Sequence, residues 1–232
     1  MTLGKLYSLI SQSGLVKDFS KISVWNDDPP LQRFLSELKL ENYNGDGTPP
    51  DKFSGGVSLD PDLAKIKSVC EAFERFSLAY YKKIDFLKAS AIHLSDKNHI
   101  ISPKEFCFLT AQQKKEDNLK PFDFSDSAEF SWTSSVDLYT NKKVLIPAQL
   151  IFCPYNYDSE PVIMLPISTG AAFAESKEEC LYKGICEVIE RDAFITNYLF
   201  SLEPTKLSFE SMTRKLKTYL DAAAAPAAVD AS

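Results

Sequence analysis

The sequence has no apolar run of the roughly 18–20 residues that a membrane-spanning helix needs, so no such span is expected. Its opening stretch, MTLGKLYSLISQSGLVKDF, lacks both a long apolar segment and a small-residue cleavage site. It does not read as a secretory signal, and the expected location is the cytoplasm. A basic excess is also missing. Lys and Arg number 26 against 32 Asp and Glu, a net charge of −6, which argues against a general grip on nucleic acid. Histidine is scarce, with only His93 and His99. The five cysteines, Cys70, Cys107, Cys153, Cys180 and Cys186, show no C-x-x-C pairing and lie far in sequence from both histidines. A zinc site is therefore not expected, and free thiols are the reading. Nothing in the spacing points to a Cys–His nucleophile. No G-x-x-x-x-G-K-[ST] phosphate loop occurs either.

What is present suffices for a core. Hydrophobic residues make up 44% and aromatics 12% of 232 residues, enough for one large domain or two small ones. In WNDDPPLQRFLSEL, Asp28 as a cap and Pro29 and Pro30 in a first turn predict a helix start. Residues 42–56 read as a loop by composition. Asp60 and Pro61 then open a long helix, with Leu63, Ile66, Val69, Cys70, Phe73, Phe76 and Tyr80 at helical spacing. FSWTSSVDLYT and KVLIPAQLIFC predict a β-hairpin turning at Asn141 and Lys142, and PVIMLPIST a third strand. Beyond Gly170 comes a second long helix, with Ser176 and Glu179 forming a capping box. A third helix is expected over 209–223, and DAAAAPAAVDAS reads as a low-complexity tail. The fold class is α+β. It is divided as an N-terminal segment (1–50), a core (51–208), and a final helix with its Ala-rich tail (209–232).

The two long helices carry nearly the same text. Residues 67–75 read KSVCEAFER and residues 183–191 read KGICEVIER, identical at five of nine positions and offset by 116. In the second copy Leu181, Ile185, Val188 and Ile189 make an apolar side, with Glu179, Lys183, Glu187, Glu190 and Arg191 opposite. Taken singly, Glu71–Arg75 and Glu187–Arg191 are ordinary surface pairs worth about 0.2–0.5 kcal/mol each. Surface pairs do not need the same order of charges twice. Two such helices set face to face would converge four carboxylates, Glu71, Glu74, Glu187 and Glu190. Like charges in a partly desolvated cleft cannot all stay ionised without cations. Magnesium, with its oxygen ligands and retained waters, meets that need beside nucleotide phosphates. The flanking Lys67, Arg75, Lys183 and Arg191 suit phosphate oxygens. Gly55-Gly56 and Ser168-Thr169-Gly170 supply short turns whose N–H groups can meet phosphate.

SGGVSLDPDLAKIKSVCEAFERFS (54–77) and STGAAFAESKEECLYKGICEVIERDAF (168–194) closely resemble the paired signature segments of the YcaO-domain family. The intervening VDLYTNKKVLIPAQLIF is similar to that family's middle region. The resemblance, covering about residues 50 to 200, implies a YcaO-like α+β fold of two related helix-plus-sheet halves. It implies ATP and magnesium as cofactors, and ATP-dependent activation of a peptide backbone amide. The leading activity is cyclodehydration of Cys, Ser or Thr in a ribosomal precursor peptide to azolines. The alternatives are a thioamide-forming enzyme and a non-catalytic ATP-binding scaffold. By the same resemblance Glu71, Glu74, Glu187 and Glu190 match magnesium-coordinating positions. Glu179 and Arg191 match nucleotide contacts, and Arg75 belongs to the first motif. No protein nucleophile is implied, so catalytic residues are left unassigned. A separate leader-peptide-recognition partner is expected, and a homodimer is left open; neither nucleic acid nor membrane is an expected partner. Val57 stands where many members have Lys, Lys67 where many have Ser, and Glu175 where many have Asn. Members are generally longer at the C-terminus, which raises the expectation that the site is C-terminally incomplete here.

Overall fold

The computed structural model describes residues 1–23, 29, 31–95, 99–106, 109–122, 124–206 and 208–224. The chain forms two compact units. The first comprises Met1–Tyr43, Asp51–Arg75 and Thr169–Ser232; the second comprises Asn44–Pro50 and Phe76–Ser168.

The first unit begins with helix α1 (Leu3–Ser13), capped by the Thr2 hydroxyl and closed by Gly14 at φ 63°. Three antiparallel strands follow in sheet order β1 (Val16–Lys21), β2 (Gln32–Leu38), β3 (Phe53–Ser58). The helix expected after the prolines is not formed: Gln32–Leu38 is β2, while the proposed cap Asp28 and Pro30 lie outside the described residues. Burial explains the difference. Phe34, Ser36 and Leu38 are buried in strict alternation, a period of two that a strand serves and a helix does not. The loop read over 42–56 likewise ends early, because β3 begins at Phe53. Gly55 and Gly56 are strand residues rather than a free turn. A Cβ on Gly56 would stand 2.1 Å from the Ala64 carbonyl oxygen and 2.5 Å from the Ser68 nitrogen. Only glycine lets β3 lie this close to the helix that follows.

That helix, α2 (Pro61–Ala79), starts as expected, with the Asp60 Oδ1 accepting from the N–H groups of Asp62 (2.8 Å) and Leu63 (3.2 Å). It buries Ala64, Ser68, Val69, Ala72 and Phe73, and the Ser68 hydroxyl meets that of Ser36 on β2 at 2.8 Å. The second long helix, α4 (Lys177–Leu199), also begins where expected, its Ser176 hydroxyl accepting from the Glu179 N–H at 3.2 Å. Its packing differs. Gly184 is its buried residue, and the apolar side is open: Leu181, Ile185, Val188 and Ile189 are 37, 47, 48 and 62% exposed. The final helix is shorter than expected, with a 3-10 turn at Phe209–Ser211 and then α5 (Arg214–Ala224). Residues 225–232, most of the predicted tail, lie outside the described residues.

The second unit holds a second antiparallel sheet, β4 (Leu87–Ser90), β5 (Glu129–Val136) and β6 (Lys143–Pro147), with the short helix α3 (Ala91–Ser95) after β4. The expected hairpin is β5–β6, and Asn141 takes the left-handed conformation at its turn (φ 57°). Asp137 Oδ1 fastens the turn by accepting from the N–H groups of Tyr139 and Thr140. Phe130 and Trp132 sit in the core with Ala89, Leu94 and Ile163. PVIMLPIST is not a strand. The buried Gln149 takes the role a neighbouring strand would have played: its amide donates to the Pro161 carbonyl (3.0 Å) and its Oε1 accepts from the Ile163 N–H (2.8 Å). In a second cluster Tyr81 stacks with Phe86 and Tyr155, and Phe152 packs tilted against it. No described helix is long and apolar enough to cross a membrane.

Candidate nucleotide and metal site

The candidate residues all belong to the first unit. The repeated text of α2 and α4 builds the same local device twice. On α2 the Glu71 carboxylate takes Arg75 through Nε (2.9 Å) and an η nitrogen (2.8 Å), while its second oxygen accepts from the Gly55 N–H at 3.1 Å. On α4 the Glu187 carboxylate faces Arg191 at 3.6 Å, and its second oxygen accepts from the Gly170 N–H at 3.3 Å. In each copy a glycine N–H and an arginine one turn on hold the first glutamate of E-x-x-E-R. The expected surface pairs thus exist, but each is tied to a glycine segment that approaches the helix closely. The Arg75 guanidinium also lies 3.7 Å from Asp51.

Glu74 occupies the interior of this arrangement. It is half-buried, and its carboxyl is pushed up from the ordinary value, first by burial and then by the charges of Glu187 and Glu71; Arg75 and the Phe173 N–H oppose the shift. Glu71 and Glu187 are therefore both near enough to Glu74 to disfavour its charge. Phe73 stacks on Phe173 with ring centroids 5.4 Å apart, which fastens the segment before α4 to α2. Among the described residues no three acidic, Cys or His side chains form a ready-made metal cluster. Glu190 is exposed on α4, one turn beyond Glu187. The residues present fit magnesium on one ground: at Glu74 burial and the charges of Glu187 and Glu71 outweigh Arg75, so a divalent ion there would offset a charge left uncompensated. They leave coordination positions for water and phosphate, which that ion keeps readily.

Beside the carboxylates lies a cavity of about 260 Å³, lined by Leu63, Ile66, Lys67, Cys70, Phe173, Glu179 and Lys183 among others. This is near the lower end of small-molecule pockets, roughly 300–1,000 Å³. Leu63, Ile66 and Cys70 belong to the apolar stripe read from the sequence, yet they line this cavity. The wall they form is apolar, with two lysines at its edge. Lys67 Nζ donates to the Val57 carbonyl at 3.0 Å, so two of the departures from the family pattern meet in one contact. Lys183 Nζ lies 2.8 Å from Glu179. Lys183, aided by the Glu175 N–H, holds the Glu179 carboxyl below the ordinary range. Burial pushes the Cys70 thiol up, so it stays protonated and unsuited to nucleophilic attack.

Sequence reasoning missed three features. Glu175, read as an added negative charge, is neutralised by Lys5 of α1 and by the Met1 ammonium, which hold its carboxyl at about 2. Phe173 as a wall of the cavity had no periodic signal, since it lies in irregular chain. The third is the contact of Gly184 with Gly170, where a Cβ on Gly184 would stand 2.4 Å from the Gly170 carbonyl oxygen. A signal for it existed: Gly184 replaces Ser68 within the repeat. Of the cysteines, Cys70, Cys153, Cys180 and Cys186 are free thiols, and Cys107 lies outside the described residues. In the second unit an open trough of about 430 Å³ is lined by Asp85, His99, Trp132 and Lys143 among others; none of the candidate site residues lines it.

Comparison with known proteins bears on the family and the fold. A family model described as YcaO cyclodehydratase, ATP- and Mg2+-binding, matches residues 55–231. YcaO from Methanopyrus kandleri bound with AMPPCP and Mg2+ superposes with a TM-score of 0.61 at 16% identity, over 96% of this chain and 51% of that one. A heterocyclase in complex with substrate and cofactor superposes with a TM-score of 0.73 at 19% identity, over 94% of this chain and 30% of that one. An uncharacterized protein of Methanothermobacter thermautotrophicus is 34% identical over 68 residues, which is 29% of this chain and 18% of the relative. The α+β fold with antiparallel sheets is that of these structures. The chain spans about half the length of one and under a third of the other.

Proposed function

This chain belongs to the YcaO family, and from that premise we propose that its first unit holds ATP and magnesium for the activation of peptide backbone amides. The reaction favoured is cyclodehydration of Cys, Ser or Thr in a ribosomally made peptide. The observation that carries the reading is the desolvated Glu74 set between the charges of Glu71 and Glu187, each of these two being fixed by a glycine N–H and an arginine. ATP supplies a phosphoryl group that turns the amide oxygen into a leaving group, and magnesium offsets the charge of the phosphates.

The chain's own residues bind and position. Glu71, Glu74 and Glu187 offer oxygen atoms to a divalent ion, and Glu190 stands one turn further along the same side. Lys67 and Lys183 present ammonium groups at the cavity edge for phosphate oxygens. Arg75 and Arg191 hold the glutamates and extend the basic border. Leu63, Ile66 and Phe173 offer an apolar wall suited to a nucleobase. The nucleophile is the substrate's own Cys, Ser or Thr side chain, which adds to the preceding carbonyl carbon. The side-chain proton and the amide N–H proton are lost, the carbonyl oxygen leaves on the phosphoryl group taken from ATP, giving ADP and phosphate, a C=N bond forms, and the peptide loses one water per ring. No enzyme nucleophile is required, in keeping with the protonated Cys70. The enzyme's share is orientation and charge stabilisation.

Calorimetry with a non-hydrolysable ATP analogue and Mg2+ tests the binding step, with saturable binding expected and its loss in Glu74→Ala or Glu187→Ala. Unchanged binding in both variants refutes the site. Mass spectrometry of a precursor peptide from the same gene neighbourhood, incubated with ATP, tests the chemistry. Loss of water supports cyclodehydration, whereas exchange of oxygen for sulfur supports thioamide formation instead. A second reading, an ATP-binding scaffold without turnover, is favoured by the departures from the family pattern at Val57 and Lys67, where the Lys67 ammonium is engaged by the Val57 carbonyl at 3.0 Å. Nucleotide binding without modified peptide would select it.

A further inference from the structure

The sheet of the second unit runs its core face out into solvent. Phe130 and Trp132 on β5 are each 1% exposed, but Ser134, next along the same face, is open. On that face Leu87 of β4 stands beside Trp132, and Leu145 of β6 beside Ser134. With the Trp132 ring they floor the trough of about 430 Å³, a volume within the usual range of small-molecule pockets. The rim carries opposite charges on opposite sides. Asp85 stands just before β4, and Lys143 opens β6. The sheet order is β4-β5-β6, so two strand spacings, roughly 10 Å, separate the two sides. Among the described residues neither charge has an ion-pair partner. The Ser134 hydroxyl lies between them on the middle strand, also without a partner among the described residues. The Trp132 N–H is taken by the Ala89 carbonyl at 2.9 Å, so the floor offers apolar surface and one hydroxyl. His99 stands along the outer edge of β6, where the Leu145 N–H donates to its carbonyl at 2.9 Å.

We propose that this trough binds a short peptide with free termini, about three residues long, its ammonium on Asp85 and its carboxylate on Lys143. The ligand class follows from charge and length. A nucleotide or inorganic phosphate carries negative charge alone and would set it against Asp85. A free amino acid carries both charges, but they stand only about one residue apart, roughly 3.5 Å, too close to meet both rims. Three residues span up to roughly 10 Å when extended, which matches the width. The Ser134 hydroxyl then meets a peptide group at the centre, and Leu87 and Leu145 receive an apolar middle side chain. The His99 ring adds an N–H donor on the carboxylate side. None of the candidate nucleotide or metal residues takes part, so the inference stands apart from the nucleotide reading and from the family assignment.

The test is calorimetric titration of the tripeptide Ala-Leu-Ala into the full chain, without ATP or Mg2+. Saturable binding with a Kd of about 1 mM or tighter is expected. N-acetylation removes the peptide's ammonium and C-amidation its carboxylate, and each should weaken binding at least about tenfold. Free leucine should also bind at least about tenfold more weakly. In Asp85→Asn the free and N-acetylated peptides should bind alike, and in Lys143→Gln the free and amidated ones should. Both side chains are exposed, so circular dichroism and Tm of the variants should match the wild type. Blocking the peptide ends leaves the protein untouched, so that comparison decides even where a variant misfolds. Weaker or unsaturable binding, blocked peptides or leucine that bind as well as the free tripeptide, or wild-type affinities in both folded variants overturn the proposal. The readout does not depend on ATP, so it can fail while nucleotide binding is still found, and the reverse.

Discussion

Replacing Gly184 by Ala tests how closely α4 is held against the Gly170 turn. In an ordinary helix this change stabilises by about 1 kcal/mol, because alanine has the higher helix propensity. Here the new Cβ would stand 2.4 Å from the Gly170 carbonyl oxygen, where ordinary contact begins at 3.4 Å. The gap must open by about 1.0 Å, the difference of those two distances. The atom met is backbone rather than the end of a flexible side chain, and the Gly170 N–H is bonded to Glu187 at 3.3 Å, so the turn does not simply swing away. Overpacking of this kind costs about 1–3 kcal/mol. Against a rigid backbone the upper part of that range applies, and subtracting the propensity gain leaves about 2 kcal/mol of net destabilisation. For a chain of this size that is a fall in Tm of roughly 4–8 °C. The internal control is Gly4→Ala in α1, where nothing lies within 4 Å of the new atom; it should raise Tm slightly. A shift of 1 Å also breaks the 3.3 Å bond from the Gly170 N–H to Glu187. Affinity for ATP analogue and Mg2+, measured by calorimetry, should therefore fall in Gly184→Ala and hold in Gly4→Ala. A rise in Tm for both variants would refute the close-approach reasoning.

Other outcomes follow from individual groups. Glu74→Gln removes a carboxylate that burial and its like-charged neighbours disfavour, so the nucleotide-free protein should gain up to about 1 kcal/mol in chemical denaturation, while the Tm rise produced by ATP with Mg2+ should shrink. The same raised carboxyl weakens the wild-type fold above its folded-state pKa, a penalty relieved as pH falls toward the ordinary value of 4.5; Glu74→Gln should flatten this part of the stability–pH curve. Glu175 behaves oppositely, because Lys5 and the terminal ammonium lower its carboxyl from 4.5 to about 2. The stability it contributes should be complete above pH 4.5 and lost as pH falls toward 2, and a carboxyl titration by NMR near 4.5 would contradict the pairing. Trp132→Phe removes a buried bond of 2.9 Å from the indole N–H to the Ala89 carbonyl and should cost about 1–3 kcal/mol, read from denaturation of the second unit.

The parts of the fold legible in the sequence are those set by local rules. Asp60 before Pro61 and Ser176 before α4 mark helix starts that the chain uses, because a cap is a contact over two or three residues. The β5–β6 hairpin is legible for the same reason: Asp137 and Asn141 complete its turn from within. What misled the reading are positions decided by distant residues. QRFLSEL carries a proline-led helix signal, yet pairing with β1 and β3 makes it a strand. PVIMLPIST has strand composition, but the side chain of Gln149 reaches its backbone first. Of the candidate site, the sequence showed the order of charges repeated at one offset, and the structure sets Glu71 and Glu187 each against a glycine N–H and an arginine. Its glycine contacts and the neutralisation of Glu175 by Lys5 were not legible, as both depend on segments about 14 and 170 residues apart in sequence.

The two copies of the helix show what a repeat can and cannot specify. Both copies secure their first glutamate with a glycine N–H and an arginine, so the charged side of each is set by its own neighbourhood. The opposite sides diverge. On α2 the side chains of Ala64, Val69, Ala72 and Phe73 are buried, and a strand glycine, Gly56, brings β3 onto the helix. On α4 the helix itself supplies the glycine, Gly184, and the apolar side chains stay open. The helix carrying Glu187 and Glu190 is thus anchored over a single buried residue near one end, with about 20 Å of helix beyond it. Precise placement of carboxylates for metal and phosphate requires rigid supports. Glu187 is placed by the Gly170 N–H and Arg191 on a helix with one buried residue, whereas Glu71 and Glu74 stand on a helix with several buried side chains.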